Sequence, residues 1–321
     1  MDMRRCTRET CFVPDTGCGL GHTDLTKCPA WTANEEASSA LSELTDEVLL
    51  PWSGSALGLA DLGFLAGRAR PMVVGIAGSQ NAGKTTLLGA WYLLLGRGAV
   101  KLPNKVFAGS YSLAGWEAVA GSLRWDPGYP ASFPPHTTSR SGRAPGLLHL
   151  SFRDERRRRL TDYLMTDAPG EWFQKWSINR DSPGGLGARW VAERADILLI
   201  VADRDALSGE GMGSARGAFQ VLAGRMAAER KGRPVALVWT KADVRVSPDV
   251  EKAVRQAVFG PMPDAREFSV SVLSRSGSEP GVGVGLIELL DWILSLHRGS
   301  VDLPKPSVAN SDPLFIYGGA S

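Results

Sequence analysis

Cysteine is scarce: the chain has four, and none lies beyond residue 28. A disulfide framework across the remaining sequence is therefore excluded. Long apolar runs are missing too. None reaches the ~18 residues of a membrane span. The opening MDMRRCTRET has no apolar core, so a secretory signal is not expected and a cytoplasmic setting is. An excess of one charge is also absent. Lys and Arg number 36 against 34 Asp and Glu, a formal net charge of +2, so nothing in the global charge calls for nucleic acid. No internal repeat is visible. What remains is a chain of 321 residues, 43% hydrophobic and 22% charged. It has room for one large domain or two small ones.

The stretch GSQNAGKTT, from Gly78 to Thr86, organises the chain. The apolar run Met72 to Ala77 precedes it, and a helix-forming run from Leu87 to Leu95 follows. The pattern G-x-x-x-x-G-K-[ST] at a strand-to-helix turn is a P-loop in its proper context. Gly78 and Gly83 let the backbone approach phosphate oxygens. The N–H groups of Asn81, Ala82 and Thr86 belong to a loop and helix N-terminus that point at an anion. Lys84 supplies a point charge for the β- and γ-phosphates, and Thr85 a hydroxyl for Mg²⁺.

Three further signals follow in order. Residues 96–145 read as a long irregular stretch, partly packed as small helices through Tyr111, Trp116, Trp125 and Tyr129, and holding Pro134-Pro135-His136-Thr137-Thr138. Its threonine suits a nucleotide switch, ligating Mg²⁺ and meeting the γ-phosphate; Thr137 is the choice and Thr138 the alternate. Two strands, near 146–152 and 160–166, flank the run RDERRRR, which reads as the charged tip of an antiparallel hairpin. The second strand ends in Asp167-Ala168-Pro169-Gly170-Glu171. Asp167 can hold Mg²⁺ through water, Gly170 can offer its N–H to a γ-phosphate, and Glu171 stands where a water-positioning residue is needed. Trp172 and Trp176, one helical turn apart, are either core or a partner surface. Residues 179–187 read as a flexible link. After two apolar strands comes Thr240-Lys241-Ala242-Asp243. Asp243 can accept from the guanine N1–H and 2-amino group, and Lys241 can lay its stem along the base. Ser271 and Val272, in a last strand read as 267–272, can offer an N–H to the base carbonyl.

The amino-terminal segment carries Cys6, Cys11, Cys18 and Cys28, with His22 among them. Four thiolates, or three with His22, satisfy tetrahedral Zn²⁺. The absence of a C-x2-C pair leaves free thiols as the competing reading. The expected organisation is a Cys/His segment over 1–31, a helical lead-in over 32–70, the main domain over 71–297 and a Pro/Gly/Ser-rich tail over 298–321. The expected fold is α/β: a three-layer P-loop sandwich whose mostly parallel central sheet contains one antiparallel strand.

The motifs GSQNAGKT, PHTT, DAPG and TKAD, in this order, resemble a GTPase of the translation-factor and Ras-like class. With the LPWSGSALGL lead-in and the VALVWTKAD strand, the chain is similar to bacterial double-GTPase domains of multi-gene conflict or signalling systems. The resemblance implies Mg²⁺, GTP or GDP, and partner proteins of unspecified identity; the missing apolar spans and the small net charge lead to no expectation of membrane or nucleic acid. The expected function is a molecular switch; without an obvious arginine finger it should hydrolyse GTP slowly, with a partner or oligomer, or Arg140 and Arg143 of the switch loop, completing the site. Asn81 matches the position where potassium-activated GTPases of the Era-like type bind K⁺; the competing reading is an asparagine that tolerates the turn. The rival functions are a non-hydrolysing GTP/GDP scaffold, an ATPase in which TKAD is accidental, and a zinc-bearing interaction module in the first 31 residues that the NTPase regulates.

Overall fold

The structure is a computed structural model. It describes residues 28, 56–67, 69–98, 100, 102–124, 133–134, 145–272, 283 and 285–298. The chain divides into two compact units, Met1–Leu50 and Pro51–Ser321. In the first, Cys28 is described; it is buried and outside any disulfide. Cys6, Cys11, Cys18, His22 and the helix expected over 33–50 lie outside the described residues.

In the second unit, a 3-10 turn and helix α1 (Leu62–Ala66) lead into β1 (Met72–Gly78). Then come α2 (Lys84–Gly96), β2 (Lys105–Gly109), α3 (Leu113–Ala120), β3 (Gly146–Asp154) and β4 (Arg159–Asp167). They are followed by α4 (Gly170–Ile178), α5 (Leu186–Arg194), β5 (Ile197–Asp203), α6 (Met212–Glu229) and β6 (Val235–Thr240). The last elements are α7 (Pro248–Phe259), β7 (Arg266–Ser269) and α8 (Leu286–Ser295). The strands form one sheet in the order β2-β3-β4-β1-β5-β6-β7. β3 runs antiparallel to both neighbours, and the other pairs are parallel.

β1, β5 and β6 are buried along their whole length, as continuous apolar runs at the centre of a parallel sheet must be. Strand alternation sends Val74 and Ile76 to a layer with Trp91 of α2, Trp116 of α3 and Leu290 of α8. Val73 and Ala77 face the opposite layer, with Trp172 and Trp176 of α4, Val191 of α5, Phe219 of α6 and Val254 of α7. The two tryptophans of α4 are thus core. The indole N–H of Trp91 donates to the Leu286 carbonyl at 2.9 Å, which fixes α2 against α8 without stranding a buried donor.

The outer edge of β3 is completed by three separate segments. β2 pairs with its distal half, with a bulge between Phe107 and Gly109. The His149 carbonyl accepts from Ser110 Oγ at 2.5 Å and Trp116 Nε1 at 2.8 Å. Leu147 exchanges backbone hydrogen bonds with Leu57. Inside this corner a buried Asp162 carboxylate faces His149 Nε2 at 3.0 Å and accepts from Ser151 Oγ at 2.7 Å.

Three expectations change. The stretch 96–145 holds a strand, β2, as well as the helix α3. Residues 179–187 are not a loose link: they hold a 3-10 turn at Pro183–Gly185 and the start of α5. Glycine makes this possible. A Cβ on Gly185 would lie 2.8 Å from Trp176 Cβ, and one on Gly187 would lie 2.2 Å from the Trp172 ring. The segment therefore forms a bed flush against α4. Finally, β7 ends at Ser269, so Ser271 and Val272 sit in the loop beyond it.

Candidate functional site

The carboxyl ends of β1, β4, β5 and β6 meet where the sheet reverses direction of growth, the place at which open α/β sheets bind ligands. Backbone pairing of β1 with β4 stops at Val74 and Met165. Beyond it, the Ile76 N–H is taken by the Thr166 hydroxyl at 3.0 Å. A side chain replacing a ladder bond lets the strands part and opens a crevice.

The loop after β1 turns through two left-handed residues, Asn81 (φ 60) and Gly83 (φ 78). Asparagine and glycine are the residues that adopt this conformation at least cost. Lys84 opens α2 yet is buried, its ammonium donating to the carbonyls of Gly78 at 3.2 Å and Ser79 at 2.7 Å. Burial lowers its pKa to about 8, while the charges of Asp167 and Asp203 pull in the opposite direction. The next residue, Thr85, donates its hydroxyl to Asp167 Oδ1 at 2.9 Å. A P-loop hydroxyl and a strand-end carboxylate, 82 residues apart in sequence, are thus in contact. At Gly170 a Cβ would lie 2.2 Å from the Gln80 nitrogen. No side chain fits there, and the amino end of α4 rests on the loop backbone. Glu171, next along, is exposed.

At the other end of the crevice, the buried Thr240 hydroxyl donates to the Ala82 carbonyl at 2.9 Å, tying TKAD to the P-loop. Lys241 has φ 53. Its ammonium meets Asp203 Oδ2 at 2.8 Å and Asp205 Oδ2 at 3.4 Å. Ser271 donates to Asp243 Oδ1 at 2.8 Å, and the Ala242 N–H to the Val270 carbonyl at 3.1 Å. The two loops after β6 and β7 are locked together by these bonds.

All of this borders one cleft of about 740 Å³. Its lining includes Asn81, Ala82, Gly83, Lys84, Thr85 and Thr86 on one side, Gly170 and Glu171 on a second, and Thr240, Lys241, Asp243, Ser271 and Val272 on a third. Gly78 lies behind the loop and Asp167 is joined through Thr85. Thr137, Thr138, Arg140 and Arg143 lie outside the described residues, although Phe133 and Pro134, just before that loop, reach the cleft. Phe133, Asp203 and Asp205 were not expected at the site. The signal for the two aspartates was their place at the end of the buried run 197–203. Among the described residues, no group of three or more His, Cys, Asp or Glu forms a metal cluster.

The model of the Double-GTPase 2 family matches residues 72–293, from the first core strand into the last helix. The chain belongs to the Double-GTPase 2 family. Membership makes a guanine nucleotide the ligand that this cleft is expected to take. None of the curated proteins matches the sequence. Among solved structures, the GTPase-like domain of Ski7 from S. cerevisiae, bound to GTP in that structure, is 13% identical with a TM-score of 0.37. The likeness covers 76% of this chain and 54% of that one. A protein from Thermus thermophilus is 18% identical with a TM-score of 0.30, covering 59% of this chain and 22% of that one. This Double-GTPase 2 chain therefore spans about half of the first structure's length and under a quarter of the second's. Among its described residues, no helix is long and apolar enough to cross a membrane.

Proposed function

We propose that this protein is a GTP-binding switch that hydrolyses GTP slowly with Mg²⁺. Its setting is the cytoplasm, where it regulates partner proteins of a bacterial conflict or signalling system. One observation carries the reading: phosphate-type and base-type groups line the two ends of one cleft. Lys84 and the N–H groups from Asn81 to Thr86 hold the phosphates. Lys241 supports the base, Asp243 reads its N1–H and 2-amino edge, and Ser271 holds that carboxylate in place. Ser271 and Val272 border the same end and offer N–H groups to the base carbonyl.

The oxygen pair of Thr85 and Asp167, in contact at 2.9 Å, fits a hard cation that prefers oxygen ligands. Thr85, Asp167 and Thr137 would hold Mg²⁺, which when bound neutralises charge on the phosphate oxygens. Gly170 carries the γ-phosphate-sensing N–H, and Glu171 orients the attacking water. The cations lining the cleft among the described residues are Lys84 and Lys241. Slow turnover without a partner is consistent with the absence of a guanidinium from the cleft lining among the described residues.

Two features support α4 as the moving element of the switch. Gly170 seats its amino end directly on the P-loop backbone, where a change at the phosphates would reach it. Among the described residues the indole N–H of Trp176 is buried without an acceptor, a cost of about 1–3 kcal/mol that a second helix position would relieve. The left-handed turn accounts for Asn81 without an ion, so equal hydrolysis in Na⁺ and K⁺ is expected; acceleration by K⁺ would assign Asn81 to that cation.

The test is single-turnover hydrolysis and fluorescent-nucleotide binding, with and without EDTA. Thr85→Ala should retain nucleotide more weakly and lose the dependence on Mg²⁺. Tight binding without hydrolysis under every condition would favour the scaffold reading. Equal competition by ATP would favour the ATPase reading.

A further inference from the structure

The arginine-rich tip of the β3–β4 hairpin has no part in the cleft. From Asp167, paired with Gly146 beside the P-loop, to Arg159 at the tip is eight residues of strand, or about 26 Å at ~3.3 Å per residue. Between Arg153 and Arg159, five arginines face Asp154 and Glu155, leaving a net +3 in a chain whose total is +2. Asp154 is engaged by the turn itself, accepting from the N–H groups of Arg156 at 3.1 Å and Arg157 at 2.9 Å. All five arginines are exposed, and none forms an ion pair among the described residues. Arg180, Arg189, Arg230, Arg255 and Arg298, by contrast, all meet carboxylates. The Asp154 bonds make the tip a fixed turn, so its charges are displayed from a defined backbone.

A second feature adjoins it. β2 is the terminal strand of the sheet among the described residues. Its Val106 and Phe107 are 48% and 44% exposed. In register, Lys105 lies opposite Asp154 and Val106 opposite Arg153, so Val106 shares its face of the sheet with the first arginine of the tip, while Phe107 lies on the other face against Phe152. The His297 imidazole is held below its ordinary pKa by partial burial first, and then by the charges of Lys105 and Arg157. A third segment therefore shares the same positive field.

We propose that the β2 edge and the β3–β4 tip bind an extended acidic peptide of a partner protein. The peptide would add to β2 as a strand, apolar residues meeting Val106 on one face and carboxylates, alternating with them, reaching the arginines of the tip. Strand addition supplies backbone hydrogen bonds for affinity and side-chain alternation for specificity. A lipid surface fits less well, because residues 155–158 offer no apolar side chain to insert. A single-stranded nucleic acid would use a run of stacking aromatics, and this edge offers Phe107, already packed on Phe152 at 6.1 Å.

The experiment uses the full chain and a fluorescein-labelled peptide of alternating glutamate and valine, read by anisotropy. The comparison probes are the lysine–valine counterpart, oligodeoxythymidine and phosphatidylserine vesicles. The acidic peptide should bind, with affinity falling as salt rises. Binding should weaken by about tenfold or more in the R153E/R156E/R157E variant, and measurably in Val106→Asp, which leaves the tip intact. It should be the same with GDP, with a GTP analogue and with EDTA, so failure of the nucleotide reading would not affect it. Circular dichroism and urea midpoints establish that both variants fold. No binding of the acidic peptide, or equal binding by the charge-reversed variant, would overturn the proposal. So would preferential binding of the oligonucleotide or vesicles.

Discussion

The contact between α4 and the glycine bed is the feature of this fold most open to a quantitative challenge. Gly187 is the second residue of α5, where alanine would ordinarily be favoured over glycine by up to ~1 kcal/mol. Here the added Cβ would meet Trp172 Cε3 and Cζ3 at 2.2 Å and Cη2 at 3.0 Å, against an unstrained carbon separation of about 3.5–4.0 Å. Trp172 is 4% exposed, and its ring has no flexible end to swing aside. The neighbours must open by more than ~1 Å, and overpacking on this scale costs about 1–3 kcal/mol or more. Subtracting a first-turn helix gain of about 0.5 kcal/mol, Gly187→Ala should destabilise the protein by about 2 kcal/mol. Gly224→Ala is the matched control, because it lies inside α6 with nothing within 4 Å of the added carbon. It should stabilise by about 0.5–1 kcal/mol. Urea unfolding of both variants, nucleotide-free and followed by tryptophan fluorescence, reads the difference directly. Midpoints that shift in the same direction would refute the close approach of α4 and α5.

Lys84→Met keeps the buried stem and removes the charge, so nucleotide affinity should fall about 100-fold while stability changes by less than ~1 kcal/mol; isothermal titration and thermal melting separate the two effects. Asp203→Asn removes the buried carboxylate 2.8 Å from Lys241 and should speed release of a fluorescent GDP about tenfold; an unchanged off-rate would detach Lys241 from the site. Arg233 donates to the carbonyls of Ala192, Ala195, Glu229 and Arg230, closing the ends of α5 and α6. Arg233→Met should therefore lower stability by about 2–4 kcal/mol, measurable as a lower urea midpoint, with nucleotide affinity unaffected once folded.

The parts of this fold visible in the sequence are those whose chemistry needs neighbouring residues. A P-loop needs its glycines, lysine and threonine within about nine positions, and buried strands such as Ile197–Asp203 announce themselves as apolar runs. The one antiparallel strand was legible because RDERRRR separates two strand-like segments. β2 was not, because most of its five residues are exposed and only pairing to β3 makes it a strand. Pro183-Gly184-Gly185 reads as a loose link by local rules; its function as a bed depends on tryptophans that arrive from α4. Asp203 and Asp205 were hidden for a similar reason, since their partner Lys241 lies 36–38 positions away. Thr137 and the amino-terminal cysteines remain expectations from sequence, the first tied to the switch and the second to zinc or free thiols.

The central claim is that Asp243 reads a guanine base at one end of the cleft that Lys84 closes at the other. It is tested most directly by competing GTP, ATP and XTP against a fluorescent guanine nucleotide, with wild type beside Asp243→Asn. The account predicts that GTP alone competes for the wild type and that XTP takes its place for the variant, because an asparagine amide offers a donor where xanthine presents an oxygen. Equal competition by ATP, together with a variant that still prefers GTP, would contradict it and move the base away from Asp243.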